Sequence, residues 1–354
     1  KTDRRQFDIS LCLWYLQHKF YHKVMSEPKC PAAAEPSQTG LAKIPGFKKG
    51  VEFGTIDICW WSWGQKGNPA VLFVSGLGCH GHWGALNSEL AGKLVAKGYY
   101  VIGMDNRDVG LSSRFDEHAD CVGPPAGKLV KNLFGFRGSE KTVGFTLDDM
   151  ARDCVELLNV LDVKNCHIVG HSMGGMIVQL VCINHPTRVL SLTISSSSSN
   201  APGVSSKSPG PHLGFLVKMA RLAPKPIIYT EEAFASWIEK QMLVFDNGAK
   251  CEPHYPYDCD REMFITMFRE QLKRVRHLPL NEDGPDGPAR HVNAILSSYD
   301  RGPLLATVTQ LHKIPVLVTH GEDDPIMPVK NGLTTHFAIP ESTLFVFKHV
   351  KHQV

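Results

Sequence analysis

The sequence lacks an excess of either charge, a membrane-spanning apolar run and any C-x-x-C pair. Its 354 residues include 38 basic and 35 acidic ones, so the formal net charge of +3 gives no reason to expect a nucleic-acid partner. No stretch approaches the roughly 20 apolar residues that span a bilayer, and no internal repeat is visible. With 43% hydrophobic residues, the chain can bury a sizeable core.

The ten cysteines do not predict a disulfide framework, because such frameworks are typical of short secreted chains. Cys59, Cys166 and Cys182 lie inside apolar runs, and we expect them to be reduced core residues. This favours a cytoplasmic or organellar location. No metal site and no cofactor are predicted.

The first 50 residues are predicted to be a leader and linker that is helical in part. Residues 7–21 are apolar and aromatic but too short to span a bilayer. Two interpretations remain open: an interfacial amphipathic helix that attaches the protein to a membrane surface, or a helix packed on the domain or a mobile leader. Residues 27–50 are rich in Pro, Ala, Lys and Gly, which is typical of a linker. Because the chain begins at Lys1 rather than Met, targeting signals stay open as well.

From Val51 onward, strand and helix signals alternate, which predicts a mostly parallel central sheet flanked by helices. The expected strands are a pair of edge strands in 51–63, then 70–75, 99–105, 166–170, 189–195, 314–320 and 343–348. Helices are expected at 82–97, 146–161, 173–185 and 329–337, the second of them opening on a capping box of Thr146 and Asp149.

Two segments interrupt this alternation. Residues 114–141 are predicted to be an irregular surface excursion, and residues 196–305 to be a helical cap, or lid, with helices near 213–222, 231–243, 260–275 and 289–299. The hydrolase core would then comprise 51–195 and 306–354. Apolar cap residues line an acyl pocket or pack within the lid: Phe215, Leu216, Phe234, Trp237, Met263 and Phe264.

The motif Gly170-His171-Ser172-Met173-Gly174 matches G-x-S-x-G, and Gly175 follows it. Alone the pattern is weak, but an apolar strand precedes it and a helix follows, as a nucleophile elbow requires. The turn would strain the backbone of Ser172, and the glycines would let strand and helix approach each other. We therefore predict that Ser172 is a nucleophile; the alternative is a helix-capping serine between glycines.

A serine nucleophile needs a base and an orienting acid, which follow it along the chain in this arrangement. Asp324 comes after the predicted strand 314–320 and precedes Pro325, which fixes the turn, so we prefer it to Asp323. His352 follows the last predicted strand at a spacing that lets it reach over the strand end, and we prefer it to His349.

An oxyanion hole needs two backbone N–H groups. We assign one to Met173, directly after the nucleophile, and the other to Leu77, in the glycine-rich loop that follows strand 70–75.

The same glycine-rich loop offers a rival interpretation. Gly76, Gly78 and Gly81 match the dinucleotide-binding pattern G-x-G-x-x-G, with Asp105 ending the next strand, although farther along than the usual spacing of about 20 residues.

Taken together, these motifs resemble the α/β-hydrolase superfamily over residues 51–354. The likeness also includes the D-x-R-x-x-G-x-S turn from Asp105 to Ser112, in which Asp105 and Arg107 look structural. Within the superfamily, this turn and the segment 287–296 resemble the branch of aclacinomycin methylesterase.

The resemblance implies cofactor-free hydrolysis of a carboxylic ester, such as a lipid or methyl ester, with a small-molecule substrate carrying an apolar acyl group. It also implies a final helix beyond the catalytic histidine. The chain stops at Val354, so we expect that helix to be missing and, for the chain as given, reduced stability and poor positioning of the base. The rival from another class is a non-catalytic, receptor-like binding protein, membrane-associated through residues 7–21.

Overall fold

A computed structural model describes residues 36–81, 87–115, 144–203, 208–214 and 287–352. Some predicted features lie wholly or largely outside these residues and stay predictions: the helix at 7–21, the excursion at 114–141, the cap helices near 213–222, 231–243 and 260–275, and the six apolar lid residues. In the part of the chain described, every helix is too short or too polar to cross a bilayer.

The centre of the fold is an eight-stranded sheet with the order β1-β2-β4-β3-β5-β6-β7-β8. The first two strands pair antiparallel with each other, β2 pairs antiparallel with β4, and all later pairings are parallel. The predicted mostly parallel sheet is therefore confirmed. The strands are β1 (Gln38–Lys48), β2 (Val51–Trp63), β3 (Ala70–Val74), β4 (Tyr100–Met104), β5 (Cys166–His171), β6 (Val189–Ser195), β7 (Val316–Gly321) and β8 (Thr343–Phe347).

The central strands β3, β4 and β5 are buried along their whole length. Helices on both faces exclude water from them, which is why their sequences are nearly continuous apolar runs rather than alternating ones. The described α-helices are α1 (Asn87–Ala96), α2 (Leu147–Val160), α3 (Met173–Asn184), α4 (Gly287–Leu296), α5 (Gly302–His312) and α6 (Lys330–Ala338). Cys59, Cys166 and Cys182 are buried as predicted.

Helix α2 begins with the predicted capping box. The Thr146 side chain accepts from the backbone of Asp149, and the Asp149 carboxylate accepts from the backbone of Thr146. The same carboxylate accepts from the N–H groups of Lys49 and Gly50 at 2.8 Å each. One side chain therefore stabilises the start of α2 and attaches the β1–β2 turn to it.

Two predictions at the start of the domain were wrong. Residues 38–48, assigned to the linker, form β1, and residues 51–63 form one long strand rather than a pair. Gly40, Pro45 and Gly46 give β1 a linker-like composition, although Ala42 and Ile44 alternate into the core. An edge strand tolerates proline because one side of it makes no ladder hydrogen bonds.

The end of the predicted cap is bound to the core. Helix α4 was predicted as a cap helix near 289–299, and α5 was not predicted. Pro303 lies at the first turn of α5, a helix-start signal that the sequence carries. The predicted cap–core boundary at 305 falls inside α5, and the Arg301 side chain donates to the Gln179 side chain in α3 at 3.0 Å.

Candidate active site

Ser172 lies at the turn between β5 and α3 with φ 55° and ψ −120°. Non-glycine residues rarely adopt positive φ, and those that do are held there by their surroundings. Here the N–H of Ser172 donates to the Ser195 carbonyl at 2.8 Å, and the Ser197 hydroxyl donates to the Ser172 carbonyl at 2.7 Å. The end of β6 thus fixes both backbone polar groups of the predicted nucleophile.

The glycines around Ser172 are required by close approach of the backbone. A Cβ atom on Gly174 would lie 2.0 Å from the Val74 carbonyl oxygen, and one on Gly170 would lie 2.3 Å from the Gly174 carbonyl oxygen. A Cβ on Gly175 would lie 2.5 Å from that of Ser197. The predicted strand–turn–helix geometry of the elbow is therefore present.

Asp324 lies in the turn after β7 and is 1% exposed. One carboxylate oxygen accepts from the N–H groups of Ile326 and Met327, both at 2.9 Å. Burial raises the pKa of Asp324, but the neighbouring His352, its hydrogen bond and the Met327 N–H outweigh burial. The pKa of Asp324 consequently lies below its ordinary value of 3.8, so the carboxylate is ionised at neutral pH.

His352 lies beyond β8, and its Nδ1 donates to the other oxygen of Asp324 at 2.7 Å. His352 is 5% exposed. Its loop packs on the acid turn, because the N–H of Asp323 donates to the Val350 carbonyl. The preferred acid and base are therefore the two that the structure brings together in the buried site.

The remaining candidates form a second pair at the surface. His349 Nδ1 lies 3.8 Å from Asp323 Oδ2, and both side chains are at least half exposed. The spacing of these residues in the sequence did not distinguish the two acid–histidine pairs, but their different burial does.

His171 links the base to the elbow. Its ring centroid lies 4.9 Å from that of His352, at an interplanar angle of 53°, and Ser172 is the next residue in the chain. Burial, followed by the neighbouring His352, lowers the pKa of His171 to about 3. His171 is therefore neutral beside His352.

The glycine-rich loop after β3 lies against the elbow. A Cβ atom on Gly76 would lie 3.2 Å from Ser172 Cβ and 3.7 Å from its Oγ. Leu77 follows directly, and Met173 is the first residue of α3, whose N–H has no acceptor within its own helix. The two predicted oxyanion donors thus belong to the loop that lies against Ser172 and to the helix that begins directly after it.

The dinucleotide interpretation of this loop is wrong. Asp105, which would have to bind a ribose, is fully buried. Its carboxylate accepts from the N–H of Gly81 at 2.7 Å and from the N–H of Leu111 at 2.9 Å. A Cβ on Gly81 would collide with the Met104 carbonyl, so this glycine is required for packing. Asp105 therefore shapes the turn, as the sequence resemblance implied.

Arg107 is structural in the same way. Its guanidinium binds both carboxylate oxygens of Asp153 at 2.6 Å, and neither residue is accessible to solvent. Within the described residues, no group of three or more His, Cys, Asp and Glu side chains is arranged to hold a metal ion.

Sequence reasoning missed several residues that support the site. Ser197 was not among the predicted site residues. The run of serines after β6 is nevertheless a signal, because only a small side chain fits against Gly175. His320 donates through Nε2 to the Met327 carbonyl in the acid turn. His291 contacts the glycine-rich loop from 213 positions away, and a contact so distant leaves no local pattern in the sequence.

Comparison with known proteins agrees with this geometry. Residues 69–211 match the family described as the alpha/beta hydrolase fold. The rhodomycin D methylesterase of Streptomyces peucetius is 27% identical over 84% of this chain and 89% of its own length. The putative carbamate hydrolase RutD of Variovorax paradoxus is 27% identical over 58% of this chain and 67% of its own.

Solved structures show the same fold at low sequence identity. An esterase from Rhodococcus sp. ECU1013 superimposes with a TM-score of 0.56 and 16% identity, over 88% of this chain and 91% of that one. The 2-hydroxy-6-oxo-6-phenylhexa-2,4-dienoate hydrolase of Rhodococcus sp. strain RHA1 gives the same TM-score and identity over 89% and 92%. The predicted resemblance is confirmed: the chain has the α/β-hydrolase fold and is similar to members of the α/β-hydrolase superfamily.

Proposed function

We propose that the chain hydrolyses carboxylic esters through an acyl-enzyme on Ser172, with His352 as base and Asp324 as orienting acid. One observation carries the proposal: a buried, hydrogen-bonded His352–Asp324 pair lies against His171, next to a serine held at positive φ. A serine hydroxyl is a weak nucleophile that needs such a pair to become reactive.

The Asp324 hydrogen bond occupies Nδ1 of His352, which leaves Nε2 to take the Ser172 proton. The serine oxygen then forms a bond to the ester carbonyl carbon, and the carbonyl electrons move to oxygen. When this intermediate collapses, the carbon–alkoxide bond breaks and His352 returns its proton to the departing alcohol. Water, deprotonated by the same histidine, releases the acid and regenerates Ser172.

The N–H groups of Leu77 and Met173 bind the oxyanion in this mechanism. Each preorganised donor of this kind contributes about 10²–10³ in kcat. The N-terminal end of α3 adds the positive end of its helix dipole beside the developing charge. The ionised Asp324 stabilises the imidazolium that forms on His352.

Ester substrates with a small alcohol group, such as methyl esters, are the class that the relatives favour. A curated relative is named a methylesterase, and one of the similar structures is titled an esterase. We propose that the cap within 196–305 supplies an acyl pocket, which would extend the range to lipid esters.

A substrate panel tests the proposal directly. Methyl esters of short-chain and aromatic acids, longer alkyl esters and a monoacylglycerol are assayed with the wild type and Ser172→Ala. We expect turnover of methyl esters and a loss of about 10⁶ in kcat for Ser172→Ala, as for removal of other triad serines.

Ser191→Ala is the matched control. Ser191 is buried near the start of β6, away from the strand end that binds the Ser172 backbone, and it pairs with His167. We expect it to keep the wild-type kcat. Full activity in Ser172→Ala would refute the mechanism, and absence of turnover across the panel would instead support the non-catalytic binding protein.

A further inference from the structure

The glycine-rich loop Ser75–Gly81 is attached to a histidine of α4. The N–H of Gly78 donates to His291 Nδ1 at 3.3 Å, and His291 Nε2 lies 2.8 Å from the Arg107 carbonyl oxygen. Since a backbone N–H can only donate and a carbonyl can only accept, Nδ1 carries the lone pair and Nε2 the proton. His291 therefore bridges the loop and the turn after β4 as a neutral ring of one defined tautomer.

Packing fixes the position of this ring. His291 is fully buried, and its ring lies edge-on to that of Phe145, with the centroids 6.0 Å apart. The preceding residue, Arg290, binds both oxygens of Asp108 at 2.6 and 3.0 Å, and this ion pair is also buried. Helix α4 cannot slide along the core without breaking the ion pair, so His291 stays beneath the loop.

Burial, helped by two neighbouring positive charges, keeps His291 neutral. Burial lowers its pKa most, and the positive charges of Arg290 and Arg107 act in the same direction. The hydrogen bond to the Arg107 carbonyl and the negative charge of Asp108 oppose them, but the pKa remains below its ordinary value of 6.5. A second ring proton would place two donors face to face at Gly78.

We propose that His291 is a positioning residue for the oxyanion hole: by accepting from Gly78 it holds the adjacent Leu77 N–H towards Ser172. This inference rests on the proposed function. Gly78 has φ +66°, a conformation that glycine leaves at little cost. Without an acceptor for its N–H, the loop beside Ser172 would lose the bond that fixes its orientation. A displaced donor weakens stabilisation of the transition state more than it weakens substrate binding.

Two conservative substitutions separate the two hydrogen bonds. The amide of His291→Asn overlaps Nδ1 and keeps an acceptor for Gly78, while losing the donor to Arg107. The amide of His291→Gln overlaps Nε2 and keeps the donor to Arg107, while losing the acceptor for Gly78. His167→Asn is the control, because His167 is a buried, hydrogen-bonded histidine at the start of β5, roughly 17 Å along the strand from Ser172.

The experiment measures amide hydrogen exchange of the peptide that contains Gly78, together with kcat and KM for a methyl ester. For His291→Gln we expect at least 10-fold faster exchange and a 10- to 100-fold lower kcat, with KM within 3-fold of wild type. His291→Asn and His167→Asn should stay within 3-fold of wild type in both measurements.

Unchanged exchange in His291→Gln, or equal kcat losses in the Asn and Gln variants, would overturn the inference. If His291→Gln does not fold, His291→Asn decides, because a large loss of kcat in the folded Asn variant contradicts the role assigned to Gly78. An inactive wild type refutes the proposed function alone, and the exchange rates still test whether His291 holds the loop.

Discussion

At the scale of single residues, burial distinguishes two acid–histidine pairs that lie in the same two loops. Asp324 and His352 are buried and 2.7 Å apart, whereas Asp323 and His349 are 3.8 Å apart and solvated. An exposed pair at that distance is screened by water and contributes little. The buried pair is therefore the one that we propose as the acid and base of Ser172.

Asp324→Asn should therefore abolish most of the activity while Asp323→Asn does not. The amide can donate to His352 Nδ1 and so favours the wrong tautomer, which leaves no lone pair on Nε2 to take the serine proton. We expect kcat to fall by about 10⁴, the loss seen for the same change in a serine protease triad, against less than 2-fold for Asp323→Asn. Steady-state ester hydrolysis measures both, and equal effects would refute the assignment of Asp324.

The sequence predicted Ser172, Asp324 and His352 because each follows a strand whose apolar run is visible. It could not decide between neighbours such as His349 and His352 by periodicity, since loop side chains have no fixed period. Ser197 and His291 could not be predicted, because their contacts depend on how distant segments pack.

At the scale of elements, the turn from β5 to α3 depends on backbone contacts that leave no room for side chains. The sequence signalled this turn through its glycines, and the structure gives the reason for each one. It did not signal β1, whose glycines and proline resemble a linker. Composition thus predicted the close-packed turn after β5 and was misleading at β1, an edge strand of the sheet.

Gly174→Ala should destabilise the protein strongly, whereas Gly92→Ala should not. The new Cβ at 174 would lie 2.0 Å from the Val74 carbonyl oxygen, in backbone that cannot yield. Overpacking of this kind costs about 3 kcal/mol. At Gly92, inside α1, a Cβ meets nothing within 4 Å, and alanine in a helix interior gains about 1 kcal/mol over glycine.

Urea unfolding of the two variants checks this prediction. Relative to the wild type, we expect a lower free energy of unfolding for Gly174→Ala and an equal or higher value for Gly92→Ala. A Gly174→Ala variant as stable as the wild type would contradict the close approach of α3 and β3.

At the scale of the whole molecule, the fold buries several histidines in their neutral form. Burial lowers the pKa of His167 to about 4, and that of His171 to about 3. The unfolded chain binds protons at these sites from about pH 6.5 downward, whereas the native state does not. Folding free energy is therefore lost as the pH falls from about 6.5 towards 4.

The lowered pKa of Asp324 acts in the same direction at lower pH. Its contribution to stability is present above the ordinary pKa of 3.8 and is lost as the pH falls through the folded value. Both effects predict a protein that is most stable near neutral pH and unfolds in acid.

Urea unfolding at pH 7.5 and pH 5.0 tests the histidine part. We expect the wild type to lose stability between these pH values, and His167→Asn to lose about 2 kcal/mol less. At pH 5.0, which is 1.5 units below the ordinary histidine pKa of 6.5, protonation of this one site in the unfolded chain alone lowers the free energy of unfolding by about that amount. Identical losses in both proteins would show that His167 does not titrate differently on folding.

The central claim is that Ser172 is the nucleophile, and covalent labelling tests it most directly. A fluorophosphonate is reacted with the folded protein, and the modified peptide is identified by mass spectrometry while ester hydrolysis is followed. We predict one phosphonyl group on Ser172, inactivation in proportion to labelling, and no labelling of Ser172→Ala or of the urea-unfolded chain. A label on another residue, or an unlabelled protein that hydrolyses esters, would contradict the account.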